Sequence, residues 1–190
     1  MLELMMIIAG VDYSLTSPSV CVFSGDTWSH HGCKFYYLAK RAKSIVTDGQ
    51  FFGTEYPEFT CDAHRYDNLG NWVYNIVSAA GVEEVFIEGY AFGATGRVFQ
   101  IAENTGMLKH ALWRHKIPFD TFPPTVIKKF ATARGNANKE KMYEAFLAET
   151  GMNIRERLDL PEKQWNPLSD IVDAYYIAKK GFETLKSIDT

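Results

Sequence analysis

The chain has 190 residues, of which 46% are hydrophobic and 23% charged, and this composition is typical of a folded globular domain with a core of its own. No apolar run reaches the roughly 20 residues of a membrane-spanning helix, and the short apolar start lacks signal-peptide features, so we expect no membrane partner. The net charge of −3 argues only weakly against a nucleic-acid partner, because charge is unevenly distributed along the chain.

The stretch from Arg97 to Lys141 contains nine basic and only three acidic residues. This excess predicts a basic face beside an acidic region, as in many proteins that bind nucleic acid. Charge alone leaves open that these side chains are ordinary solvated helix faces.

Cysteine and histidine usage points to a reducing compartment. The three cysteines form no Cys-x-x-Cys pair, and their odd number argues against a disulfide framework. The five histidines lack the spacing of a structural zinc site. We therefore expect a cytoplasmic protein, within a bacterial host cell if the chain is phage-encoded.

The first part of the chain predicts three strands joined by short links. Apolar residues run from Met5 to Tyr13, and further strands are expected over Ser19–Phe23 and Gly32–Leu38. Short links between consecutive strands predict an antiparallel meander. The segment Lys40–Cys61 mixes aromatic residues with Gly, Thr and Pro, and it fits either a long ordered loop or an inserted hairpin.

The second part alternates helices with strands. Apolar spacing and turn residues predict these elements in order: a helix over Asp62–Ala80 ended by Gly81, a strand over Glu84–Glu88, a helix over Arg97–His115, a strand over Ile117–Thr121, and helices over Pro124–Ala131, Lys139–Thr150 and Asn166–Leu185. This order predicts an α/β protein, a mixed sheet with helices on its faces. No repeat or linker interrupts the chain, so we expect one domain over residues 1–190.

Four acidic residues occupy positions that such a fold can bring together. Asp12 lies on the first strand, and Glu88 ends the fourth. Asp170 and Asp173 are three residues apart on the last helix and share one face. Clustered carboxylates repel each other unless a cation holds them, and ligands that offer only oxygen favour Mg²⁺ or Mn²⁺. Paired divalent ions are a known solution for phosphodiester cleavage.

Three of the four acids, taken singly, have a simpler interpretation, whereas Asp173 is harder to explain in this way. Asp12 fits a turn after the first strand, Glu88 fits a strand end in solvent, and Asp170 fits a helix start where it complements the helix dipole. The order of all four acids along the chain is more specific than any one acid. It consists of an acid on the first strand, an acid that ends the fourth strand, and Asp-x-x-Asp-Ala at the start of the last helix.

At these residues the chain resembles the RuvC family of Holliday junction resolvases, and within it a phage-type member. The matching segments are Gly10-Val11-Asp12, Ile87-Glu88-Gly89-Tyr90-Ala91-Phe92, Thr125-Val126-Ile127-Lys128-Lys129, Arg134-Gly135-Asn136-Ala137-Asn138-Lys139-Glu140 and Ser169-Asp170-Ile171-Val172-Asp173-Ala174. The resemblance spans nearly the whole chain, and Lys40–Cys61 is its least matched part. It implies an RNase H-like fold: a mixed five-stranded sheet, three antiparallel strands and then two parallel ones, flanked by helices.

The resemblance also implies an activity and its parts. A homodimer would nick opposed strands of a four-way DNA junction, leaving 5′-phosphate ends, with two Mg²⁺ ions per site that Mn²⁺ could replace and with no nucleotide cofactor. The implied metal ligands are Asp12, Glu88, Asp170 and Asp173, with Lys139 as a further catalytic residue. The implied DNA contacts are Arg97, Lys128 or Lys129, Arg134 and Lys139, with Tyr90 or Phe92 stacking on bases.

Three other interpretations stay open from the sequence. A different RNase H-type nuclease, acting on flaps or RNA–DNA hybrids, would have the same four acids. A DNA-binding module with a decayed site is disfavoured because all four acids are present. An actin-like ATPase or sugar-kinase lobe would need a second lobe and glycine-rich phosphate loops, which this length and sequence do not supply.

Overall fold

The computed structural model describes residues 5–90 and 98–188. The predicted meander is confirmed: β1 (Met6–Asp12), β2 (Ser19–Gly25) and β3 (Cys33–Ala39) pair antiparallel in sequence. The next two predicted strands form as β5 (Glu84–Glu88) and β6 (Phe119–Phe122), with β5 parallel to β1 and β6 parallel to β5. The last strand starts two residues later than the sequence indicates.

The segment Lys40–Cys61 adds a strand that the sequence does not predict. β4 (Phe51–Glu55) lies parallel to β3 at the sheet edge, and a single antiparallel bridge joins its Phe52 to Thr47. Within the described residues the segment is therefore neither a plain loop nor a two-stranded hairpin, because it contributes one edge strand and an isolated bridge. Within the described residues the sheet has six strands in the order β4-β3-β2-β1-β5-β6, which corrects the expected five.

Helices cover both faces of the sheet. In the described part of the chain they are α1 (Asp62–Ala79), α2 (Val98–Arg114), α3 (Pro124–Thr132), α4 (Lys139–Thr150), the short α5 (Ile154–Arg157) and α6 (Leu168–Ile188). Helices α1 and α2 pack on one apolar cluster with Val11 and Val85, whereas α3, α4 and α6 pack on another with Ile8 and Phe86. Successive strand residues point to opposite faces, so the same strands serve both clusters. None of the helices in the described ranges is both long and apolar enough to cross a membrane.

Helix α6 approaches β1 closely at Gly10. A Cβ atom at this position would lie 2.8 Å from Ala178 Cα and would also collide with the backbone oxygen of Ala174. Only glycine permits this approach without a shift of the helix. The contact fixes the first turns of α6 against the end of β1, which is where the predicted acids meet.

Candidate active site

The four predicted carboxylates come together at one edge of the sheet. Asp12 and Glu88 end β1 and β5, which are parallel neighbours paired up to Val11 and Ile87. Asp170 and Asp173 reach the same place from the start of α6. Burial raises the pKa of Asp12 well above its usual range, and the charges of Asp170, Glu88 and Asp173 raise that pKa further.

The other three carboxyls are perturbed by the same causes. Burial raises the pKa of Glu88 to about 7, against the opposing charge of Lys128. Burial, together with the charges of Glu88 and Asp170, raises the pKa of Asp173 to about 8. Burial also raises the pKa of Asp170, although a hydrogen bond from Ser17 and the charge of Lys139 oppose the shift. All four pKa values are raised because two of these carboxyls are buried and two are half-buried, and ionising all of them together is costly without a compensating cation.

A series of side-chain hydrogen bonds, which the sequence does not predict, positions Asp170. The Ser17 hydroxyl donates to Asp170 Oδ2 at 2.7 Å, and the Asn166 amide donates to Ser17 Oγ at 2.6 Å. Lys139 Nζ in turn donates to Asn166 Oδ1 at 3.3 Å. The sequence predicts Asn166 as the start of the last helix, but α6 begins at Leu168. The Asn166 side chain instead links Lys139 to Ser17 by hydrogen bonds.

The loop that carries Ser17 is held in place by the Lys40–Cys61 segment, called the inserted segment below, and by α1. The backbone oxygen of Leu15 accepts hydrogen bonds from the Tyr56 hydroxyl at 2.6 Å and from the guanidinium of Arg65. Arg65 Nε also donates to Tyr56 Oη at 2.8 Å, so the two side chains brace each other. Arg65 is buried, which makes this arrangement costly to disturb. The segment with no clear role in the sequence therefore supports the candidate site.

The donor set fits a divalent cation. It consists of four carboxylates, and hard oxygen donors suit Mg²⁺ or Mn²⁺ better than zinc. Among the residues that the structure describes, no three Asp, Glu, His or Cys side chains converge tightly enough to hold a metal ion as they stand. Asp12 and Asp170 are nonetheless close enough to share a hydrogen bond.

A cavity of about 350 Å³ opens beside the acids and is lined by Asp12, Glu88, Leu15, Ile101 and Tyr90, among others. Tyr90 stands at its mouth with 45% of its surface exposed. This position suits the predicted stacking role of Tyr90. The alternative aromatic, Phe92, lies outside the described residues, as does Arg97.

The basic residues divide into two groups. Lys128 on α3 and Lys139 at the start of α4 are near enough to the acids to lower their pKa values. Lys129 is exposed, and Arg134 lines a separate groove at the α3–α4 junction. Of the two alternatives offered by the sequence, Lys128 is therefore the lysine beside the acid cluster.

The sheet order and the acid cluster define an RNase H-like α/β protein with a carboxylate site at the ends of its parallel strands. No family model matches the chain. It is 27% identical over 121 residues to the crossover junction endodeoxyribonuclease RuvC of Synechococcus sp. (strain CC9311), an alignment that covers 64% of this chain and 69% of that protein.

Solved structures give the same result at the level of the fold. Thermus thermophilus RuvC in complex with a Holliday junction substrate matches with a TM-score of 0.61 and 18% identity, covering 94% of each chain. Fowlpox virus resolvase in complex with substrate Holliday junction DNA matches with a TM-score of 0.55 and 14% identity, covering 95% of this chain and 99% of that one. In sequence and fold the chain is RuvC-like, which confirms the predicted resemblance to the RuvC family, whereas the phage-type assignment stays a prediction.

Proposed function

We propose that the chain is a structure-selective endonuclease that resolves Holliday junctions by nicking opposed strands and leaving 5′-phosphate ends. The observation that carries this proposal is the convergence of Asp12, Glu88, Asp170 and Asp173 beside an open cavity in a RuvC-like fold. Relatives with this fold support it, since the matched Thermus and fowlpox proteins are resolvases bound to junction DNA.

The four carboxylates would hold two Mg²⁺ ions, which Mn²⁺ could replace. When bound, such ions activate water and neutralise charge on the phosphate that is cleaved. The chain's own residues would orient the ligands and the DNA: Ser17 fixes Asp170, while Lys139 and Lys128 place positive charge beside the cluster. Lys129, Arg134 and Arg97 would add phosphate contacts, and Tyr90 or Phe92 would stack on a base, a contact worth roughly 1–3 kcal/mol.

We further propose a homodimer formed through α2. Two aromatic side chains, Phe99 and Trp113, are 80% and 70% exposed on this helix. They are fourteen residues apart, close to four helical turns, so they share one side of α2. Two exposed aromatics on one helix side favour a second copy of the chain as partner, because two copies would nick two opposed strands. Sedimentation of Trp113→Glu beside the wild type tests this proposal, and a monomer is expected only for the variant.

Two further parts of the proposal concern the chain as a whole. Residues 1–190 would act as one nuclease domain, which the continuous sheet from β4 to β6 supports. The enzyme would work in a reducing cytoplasm, since its three cysteines, all within the described ranges, are free.

Cleavage of a labelled four-way junction tests the central proposal. Duplex, flap and RNA–DNA hybrid substrates serve as comparisons, in Mg²⁺ and in Mn²⁺, with Asp12→Asn as the inactive control. Paired symmetric nicks on the junction, absent from the control, are expected. Preferential cutting of flaps or hybrids would favour the other RNase H-type nuclease, and absence of metal-dependent cutting would favour the binding module.

A further inference from the structure

A second cavity lies along the same edge of the sheet as the acid cluster. It measures about 420 Å³ and lies between the end of β3 and the segment that precedes α6. Strands β1, β3 and β5 all run in the same direction, so their C-terminal ends share this edge. Thr16 lines both cavities, and Ser17 lines this one while donating to Asp170. Thr16 and Ser17 therefore form a wall of this cavity directly beside the acid cluster.

The lining of this cavity is cationic. Among the described residues it includes Lys40, Arg41 and Lys163 but no acidic side chain. Arg41 donates to the backbone oxygen of Asp159 at 2.7 Å and lies 3.7 Å from its carboxylate, which is largely exposed. An exposed pair at this distance neutralises little of the guanidinium charge. The cavity thus offers positive charge to an anion that enters it.

Two further features of the lining suit a nucleotide strand. The Ser44 hydroxyl is fully buried in the wall and has no hydrogen-bond partner among the described residues. Trp165, which also lines the cavity, is half-buried with the guanidinium of Arg155 4.8 Å from its ring centre. Aromatic and cationic side chains together are the usual means of holding a nucleic-acid strand without reading its sequence.

We propose that this cavity is a backbone-binding subsite for the DNA that flanks the cut, with Lys40 and Lys163 contacting its phosphates. The inference rests on the proposed nuclease function and adds a role for the inserted segment, which supplies Lys40, Arg41 and Ser44. The shared wall at Thr16 and Ser17 favours the DNA substrate over a small free anion, because a strand bound across the acids would pass next to this cavity.

The test is the salt dependence of junction binding. Lys40→Ala/Lys163→Ala is compared with Lys43→Ala, which removes another exposed lysine that does not line the cavity. All variants carry Asp12→Asn so that no cutting occurs. Each lost phosphate contact makes the slope of log K against log salt concentration less steep by roughly 0.9. The double variant should therefore have a slope about 1.8 less steep than its parent. Between 1 M and 0.1 M salt its affinity should rise by roughly 60-fold less than that of the parent.

The possible outcomes separate this subsite from the proposed function. A reduced slope in the double variant alone, with unchanged melting temperatures, supports the subsite. A double variant that binds like Lys43→Ala, while the parent still binds junctions, overturns the subsite alone. A parent protein that binds no branched DNA at any salt concentration overturns the proposed function and the subsite together.

Discussion

The substitution Gly10→Ala tests whether the packing of α6 on β1 builds the site. The added Cβ would lie 2.8 Å from Ala178 Cα, whereas carbon atoms pack at about 3.5–4.0 Å, so the helix must move by about 1 Å. Backbone atoms cannot rotate away, and overpacking of this kind typically costs about 1–3 kcal/mol. The shift acts on the helix that carries Asp170 and Asp173, and a displacement of about 1 Å can lower a catalytic rate roughly 100-fold.

Urea denaturation and junction cleavage, measured on the same preparations, would check this expectation. Gly70→Ala is the matched control, because its Cβ would meet only the Tyr13 hydroxyl at 3.6 Å, an ordinary contact. Alanine in place of this helical glycine should stabilise the protein by up to about 1 kcal/mol. If Gly10→Ala unfolds at the wild-type midpoint and cuts at the wild-type rate, close packing at Gly10 does not position the acids.

Three further predictions concern the site itself. Ser17→Ala should raise the Mg²⁺ concentration needed for half-maximal cleavage by roughly 10–100-fold, because Asp170 loses its hydrogen bond, while Ser17→Thr should recover most of the loss. Asp173→Asn should raise the melting temperature in EDTA at pH 8 but not at pH 4. Its pKa is raised from 3.8 to about 8, so the stability of the wild type falls as pH rises through that interval. Lys128→Ala should slow cleavage more than it weakens junction binding, whereas Lys129→Ala should affect binding alone, because only Lys128 acts on the pKa values of the acids.

Each of these predictions has a result that contradicts it. An unchanged Mg²⁺ requirement in Ser17→Ala would show that the hydroxyl does not position Asp170. Equal melting temperatures of Asp173→Asn and wild type at pH 8 would refute the inferred cost of ionising Asp173 in the cluster. Identical kinetic losses in the two lysine variants would remove the distinction between them.

The acid cluster could be predicted from sequence because each member depends on a strong local pattern. Asp12 and Glu88 end apolar runs that form only as buried strands, and Asp170 and Asp173 open a long amphipathic helix. The central strands are fixed by burial on both faces, which leaves few alternative registers. The topology then follows, and it places the four acids at one edge.

The sequence does not predict strand β4 or the hydrogen bonds that link Asn166 and Ser17 to Asp170. β4 has only five residues, contains Gly53, and is half-exposed at the sheet edge, so its pattern is weak. Ser17 and Asn166 are 149 residues apart, and each has an ordinary local explanation as a loop or cap residue. Only the fold shows that they meet, since a single sequence carries no signal for a hydrogen bond at such a separation.

The fold places four carboxyls where burial first, and mutual repulsion second, disfavour their ionisation, and the pKa values of Asp12, Glu88 and Asp173 are raised as a result. Two arrangements oppose that repulsion from outside the cluster: the close packing of α6 on β1 at Gly10, and the hydrogen bond from Ser17. Because both act on the same helix, weakening either would disturb the placement of Asp170 and Asp173. A divalent cation between the carboxylates would replace their repulsion by attraction to the metal. Metal binding would therefore stabilise the folded protein at the same residues that destabilise it without metal.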